Sequence, residues 1–222
     1  MAYLPLALPL ALGLFLLLGL LVFLVEIRIL SYAYRKIGVQ PRYVFAVLLL
    51  SLVGSYVNVP LYSLPVLRLS PPGEVVLFGR AYMVPPVVEP ATTVVALNVG
   101  GALIPILLSL YLFARSTARL RMIVGILIIA GLVHHLATPV PGVGIVVPMF
   151  IAPLAAAGVS LLLAFRHAPP VAYVSGSMGT LLGADIMNLG RITELGAPVV
   201  SIGGAGTFDG VFLTGIIAGL LA

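Results

Sequence analysis

The sequence contains no cysteine in 222 residues. That excludes disulfides, thiolate metal sites and a thiol nucleophile. Charge is also scarce: Asp, Glu, Lys and Arg make up 8% of the chain, against 62% hydrophobic residues. A water-facing domain of this size needs more charged surface than that. The patterns that mark common chemistries are missing too. No H-E-x-x-H pair offers zinc ligands and no GxSxG places a nucleophilic serine; the SGSMG stretch, Ser175–Gly179, has a different layout. GGAG at Gly203–Gly206 is read as lacking the preceding strand, and the following lysine or ribose-binding carboxylate, of a nucleotide fingerprint. The net charge of +5 is not gathered into a basic patch interleaved with aromatics. No cofactor, metal or nucleic-acid partner is therefore expected.

What is present is apolar sequence in unbroken runs of about 20 residues, the length of a spanning helix. Barrel strands would alternate apolar and polar residues instead. The composition predicts one all-α domain over 1–222, a polytopic membrane helix bundle in the lipid bilayer. About seven spans are expected, over 4–25, 43–64, 92–113, 122–136, 145–165, 170–189 and 198–222, the last interrupted at 201–207. The first has no Lys or Arg before it and no cleavage-type site after it, so it is expected to be retained. The basic residues favour one side. Arg28, Arg35, Lys36, Arg42, Arg115, Arg119, Arg121 and Arg166 fall in loops on that side, and three others fall opposite. This bias predicts a cell-membrane protein with its N-terminus outside and its C-terminus cytoplasmic. The proline-rich stretch 65–90 is the only loop long enough for a lid or cap.

The few polar residues inside these runs share a depth. Asn58, Asn98, His134, His135, Asp185 and Asn188 all fall toward the outer ends of their spans. Asp185 and Asp209 are the only aspartates in the chain, and a carboxylate in lipid is by default functional. In a straight last helix Asp209 would lie ~16 Å deep and Asp185 only ~6 Å. Unwinding 199–206 raises Asp209 toward Asp185, and Gly203, Gly204 and Gly206 make unwinding easy. Thr207 can cap the helix that follows, and Asp209 in its first turn can simply satisfy the helix dipole. Packing argues the other way. Ser175, Gly179 and Gly183 form a small-residue stripe suited to close contact, and Asp185 lies about 200° around a regular helix from Gly183. It faces away unless the winding changes there. Asn58-Val59 with Leu64-Pro65 echoes Asn98-Val99 with Ile104-Pro105; chance accounts for a repeat this loose.

Four stretches carry a resemblance: LNVGGALIP (Leu97–Pro105), PVPGVGIVVP (Pro139–Pro148), AYVSGSMGTLLGADIMNL (Ala172–Leu189) and SIGGAGTFDGVFLTG (Ser201–Gly215). They resemble a prokaryotic membrane-protein family catalogued as domain of unknown function 1614. That resemblance implies a multi-pass membrane protein and no particular activity. A looser similarity of logic links the two aspartates to intramembrane aspartyl proteases of the presenilin and prepilin-peptidase type. Gly183-Ala184-Asp185 and Gly206-Thr207-Phe208-Asp209 both depart from the Gly-x-Gly-Asp motif of those enzymes.

The functional expectation is a proton- or cation-linked transporter or channel for a small solute or ion. Asp185 and Asp209 would be its carboxylates. Asn58, Asn98, His134, His135, Asn188, Gly203, Gly204, Gly206 and Thr207 would supply binding groups, and a homo-oligomer would enclose the path. The alternatives are an intramembrane hydrolase cutting a membrane peptide with the two aspartates, and a non-catalytic scaffold.

Overall fold

The computed structural model describes residues 7–69, 73–77, 80–84, 88–141, 144–204 and 210–222. By length and composition, three helical stretches among the described residues are apolar enough to cross a membrane: Phe15–Lys36, Arg119–Leu136 and Ile151–Ile192. Three shorter apolar helices, Pro41–Gly54, Val99–Arg115 and Gly210–Leu221, stand beside them. The first long stretch belongs to α1 (Ala7–Lys36), which runs well past the expected end at Val25. Arg28, Arg35 and Lys36 are thus helical, because nothing in the Glu26–Lys36 sequence breaks a helix.

The second expected span is a helix for only part of its length. α2 (Pro41–Gly54) starts with Pro in its first turn and is about 21 Å long. From Asn58 the chain is extended as β1 (Asn58–Leu69). The expected loop 65–90 holds strands as well, β2 (Gly73–Leu77) paired with β3 (Arg80–Val84). The third expected span begins as β4 (Val88–Asn98), antiparallel to β1, with Asn58 opposite Asn98. Proline explains the ladder's irregularity. Pro60 has no N–H to donate, and the register shifts between Pro60 and Tyr62. As an edge strand β1 tolerates this. The central strand β4 carries the β-branched run Thr92–Val95, with Thr93 and Val95 buried.

Helix resumes at Val99 with a π-helical turn, Val99–Leu103, and continues as α3 (Ile104–Arg115). α4 (Arg119–Leu136) follows. The expected turn TPVPGVG forms a small hairpin, β5 (Thr138–Val140) with β6 (Gly144–Val146), so the fifth helix starts late, as α5 (Ile151–Ala164). A three-residue 3₁₀ turn at Phe165–His167 leads to α6 (Ala168–Thr180). Beyond it the backbone winds as a π-turn, Leu181–Asp185, and then as a 3₁₀-helix, Ile186–Leu195. The last expected span opens as β7 (Val199–Ile202), parallel to β4, and ends as α7 (Gly210–Leu221). The sheet order is β1-β4-β7.

Among the described residues three apolar clusters hold this together, one of them around Ile129, Val133, Ala156 and Ala172 where α4, α5 and α6 meet. Tyr34, Ile37, Met122, Val171, Tyr173 and Ile216 pack at the basic end, where the Lys36 ammonium donates to Leu220 O at 2.7 Å. Val95, Ala102, Leu181, Ile192, Ile202 and Val211 pack where the strands meet the helices. The stripe Ser175, Gly179 and Gly183 faces α4: a Cβ on Gly179 would sit 2.7 Å from Ile129, and one on Gly183 would strike Ala130 O. α7 instead meets Tyr173, Gly176 and Ser177, through Thr214 and Gly215.

Candidate functional site

The strand end of the bundle is built on Asn98, which is fully buried. Its side-chain oxygen accepts from Gly101 N at 2.7 Å and so caps the π-turn. Its amide donates to Ser55 O at 2.8 Å and to Asn58 Oδ1 at 3.1 Å. Asn58 Oδ1 also accepts from the Ser201 hydroxyl at 2.6 Å. One asparagine thus ties the end of α2, the β1–β4 ladder and the start of α3, and reaches β7 through Asn58. A buried polar group needs such partners, and these fix the register of the three strands.

β7 is fastened to β4 at its entry. Thr93 Oγ1 donates to Ala197 O at 2.8 Å, and Val94 N to Pro198 O at 2.9 Å. A strand therefore does precede GGAG, contrary to the sequence reading. The parallel partner β4 gives Val199–Ile202 a ladder that its own sequence does not announce. Gly203 and Gly204 then take φ of +82° and +78°, which glycine adopts without strain. No side chain would fit at the first of these, because Gly203 lies against Gly101 and Ala102.

This turn presents its backbone to Asp185. Gly203 N donates to Asp185 Oδ2 at 2.7 Å. The winding of the helix makes the contact available. Ile186 N bonds both Leu181 O and Leu182 O, the wide ring of a π-turn, so Asp185 reaches β7 while Gly183 still faces α4. A single regular helix would not allow both. Asn188 turns back onto the helix and donates to Gly183 O at 2.9 Å and Ala184 O at 3.0 Å, carbonyls that the change of winding releases.

Asp185 lines a cavity of about 490 Å³ between the π-turn, β6, β7 and the start of α7. Thr180, Ser201, Gly204, Gly210 and Thr214 share that wall. The Thr180 hydroxyl is buried and has no hydrogen-bond partner among the described residues. The volume falls in the usual range for small-ligand sites, roughly 300–1,000 Å³.

The residues expected to share a layer divide into three groups. Asp185 and Gly204 line the cavity and Gly203 bonds Asp185, with Asn58 and Asn98 linked to that strand through Ser201. His134, His135 and Asn188 are not drawn in: His134 is half-buried with Nδ1 unpartnered among the described residues, His135 is exposed, and Asn188 serves its own helix. Gly206, Thr207 and Asp209 lie outside the described residues. Three contributors were not read from the sequence. Ser201 and Thr180 are ordinary hydroxyls in apolar context, and Ser55 acts through its carbonyl, which no sequence signal marks.

The family profile described as protein of unknown function (DUF1614) matches residues 52–221. The chain belongs to that family. In this DUF1614 member the match takes in every strand, the Asn98 node and the Asp185 cavity, and leaves out α1 and most of α2. No curated protein and no solved structure matches the chain.

Proposed function

We propose that this protein moves a small cation, a proton or a cation-linked solute across a membrane, with Asp185 as the binding carboxylate. One observation carries the reading: a half-buried carboxylate, held by a backbone N–H, lines a cavity where strands meet the apolar helices. Non-helical backbone in an apolar bundle must be buried in protein or line a wet cavity. Broken helices of this kind supply ion and substrate sites in transporters. The Thr180, Ser201 and Thr214 side chains on the same wall add oxygen groups of the kind a hard cation takes. Because Asp185 is bound to the Gly203 turn, a shift of that turn would move the carboxylate, which links occupancy to conformation. In this reading the basic end is cytoplasmic.

The test is flux in proteoliposomes containing a pH-sensitive dye and then cation-sensitive dyes, under an imposed potential. The expected result is flux above empty vesicles, abolished by Asp185→Asn with thermal stability and elution unchanged. Flux equal in the variant and the wild type would sink the role of Asp185. Absence of any flux, together with cleavage of a membrane peptide that needs both aspartates, would install the hydrolase instead.

A further inference from the structure

A second cavity, of about 320 Å³, lies between α1, α2 and the π-turn at Gly100–Gly101. Its walls are almost wholly apolar and include Phe23, Ile27, Phe45 and Leu49. Phe23, Phe45 and Leu49 are about half exposed or more, so the cleft opens on the outer, lipid-type surface of the helices. Two polar groups interrupt it. Glu26 is exposed on α1, ~15 Å along the helix from Lys36 and inside the candidate span Phe15–Lys36. It lines the cleft and has no hydrogen bond or ion pair among the described residues. Ser51 is 5% exposed and neighbours the Tyr34 hydroxyl. A carboxylate on so apolar a helix surface calls for a partner.

We propose that this cleft is a separate binding site for a lipophilic cation drawn from the bilayer. The apolar body sits among Phe23, Ile27, Phe45 and Leu49, and the positive centre rests against Glu26. Charge complementarity selects this occupant. A neutral lipid chain would fill the cleft and leave Glu26 unanswered, and an anion would be repelled. Aromatic rings at the mouth add attraction for a cation. Ser51 offers an acceptor to any ligand that carries an N–H. The cleft ends at the Gly101 backbone, whose far side abuts Gly203. The two cavities are therefore distinct, and the claim does not rest on transport through Asp185.

The probe is tritiated tetraphenylphosphonium, measured by equilibrium binding to the full chain in phosphatidylcholine nanodiscs. Saturable binding is expected, weakened at least about tenfold by Glu26→Gln and kept in Asp185→Asn. Tetraphenylborate, of matching shape and opposite charge, should fail to compete. Leu48→Trp, which fills the cleft with Glu26 intact, should also abolish binding. The proposal is overturned by non-saturable binding, by equal competition from the anion, or by a Glu26→Gln or Leu48→Trp protein that binds as the wild type does. If Glu26→Gln does not fold, the anion comparison and Leu48→Trp decide the matter.

Discussion

Asn98 is the residue on which the strand end depends, and its arithmetic is simple. An asparagine side chain has two donor hydrogens and one acceptor oxygen; here both hydrogens and the oxygen are used, on three separate segments. Removing them leaves Ser55 O and Gly101 N without those partners in a dry interior. Asn98→Ala should therefore lower unfolding stability by about 2–4 kcal/mol. Denaturant unfolding in detergent measures this, with Ser201→Ala as a comparison that should lose less than about 1.5 kcal/mol, since it ends one neutral hydrogen bond. Equal losses would mean that Asn98 is not the node. Residues of this kind were legible in the sequence, because a lone amide or carboxylate in an apolar run must have a purpose. Glu26 was not. Standing directly after an unbroken apolar run, it reads as the end of a helix, and only the continuation of α1 to Lys36 places it within that helix.

At the scale of elements, helices were read where an uninterrupted apolar run was long, as in α4, and strands were missed throughout. The cause is physical. Val, Ala, Leu and Thr fill a buried helix and a strand covered on both faces equally well, and neither shows a period that tells them apart. Thr92–Leu97 is such a run. What decides it is tertiary: β1 on one side and β7 on the other supply the ladder. The expected loop 65–90 and the TPVPGVG turn hid their hairpins for a related reason, since proline discourages a strand assignment, yet edge strands accept it. The winding change at Leu181–Asp185 was posed by the sequence as a conflict between the Gly183 face and the Asp185 face, and the π-turn resolves it.

The β1–β4 register can be tested directly, because the cysteine-free chain gives no background. Ser63 stands opposite Val94, and directly paired residues have Cα atoms about 4.5–5.5 Å apart, inside disulfide range. A Ser63→Cys, Val94→Cys double variant should cross-link on mild oxidation and shift on a non-reducing gel. Ser63→Cys with Leu97→Cys, three residues out of register, should not. Two helices in this region would give the first pair no such advantage, and cross-linking of both pairs alike would reject the ladder.

For the whole molecule, the arrangement of charge and extended backbone defines two unlike ends. Lys36, Arg115 and Arg119 stand at helix ends about the Tyr34–Ile216 core, and Lys36 closes the last turn of α7. The strands, the Asn98 node and the Asp185 cavity occupy the other end, where α3 and α7 start. The positive-inside rule then sets the direction: a membrane with a cytoplasmic face should hold the basic end inside. The sequence carried that inference without any knowledge of the strands, because it depends on the placement of charge alone. Single cysteines test it on intact cells with a membrane-impermeant maleimide. Tyr82→Cys, exposed on β3, should label from outside. Thr117→Cys, exposed in the turn between α3 and α4, should label only after the membrane is permeabilised. The reverse pattern would invert the protein and place the Asp185 cavity toward the cytoplasm, so that any cation it takes would enter from inside. Labelling of both sites from one side would show that the β2–β3 hairpin and the basic end share a face, and the charge argument would then lose its hold on direction.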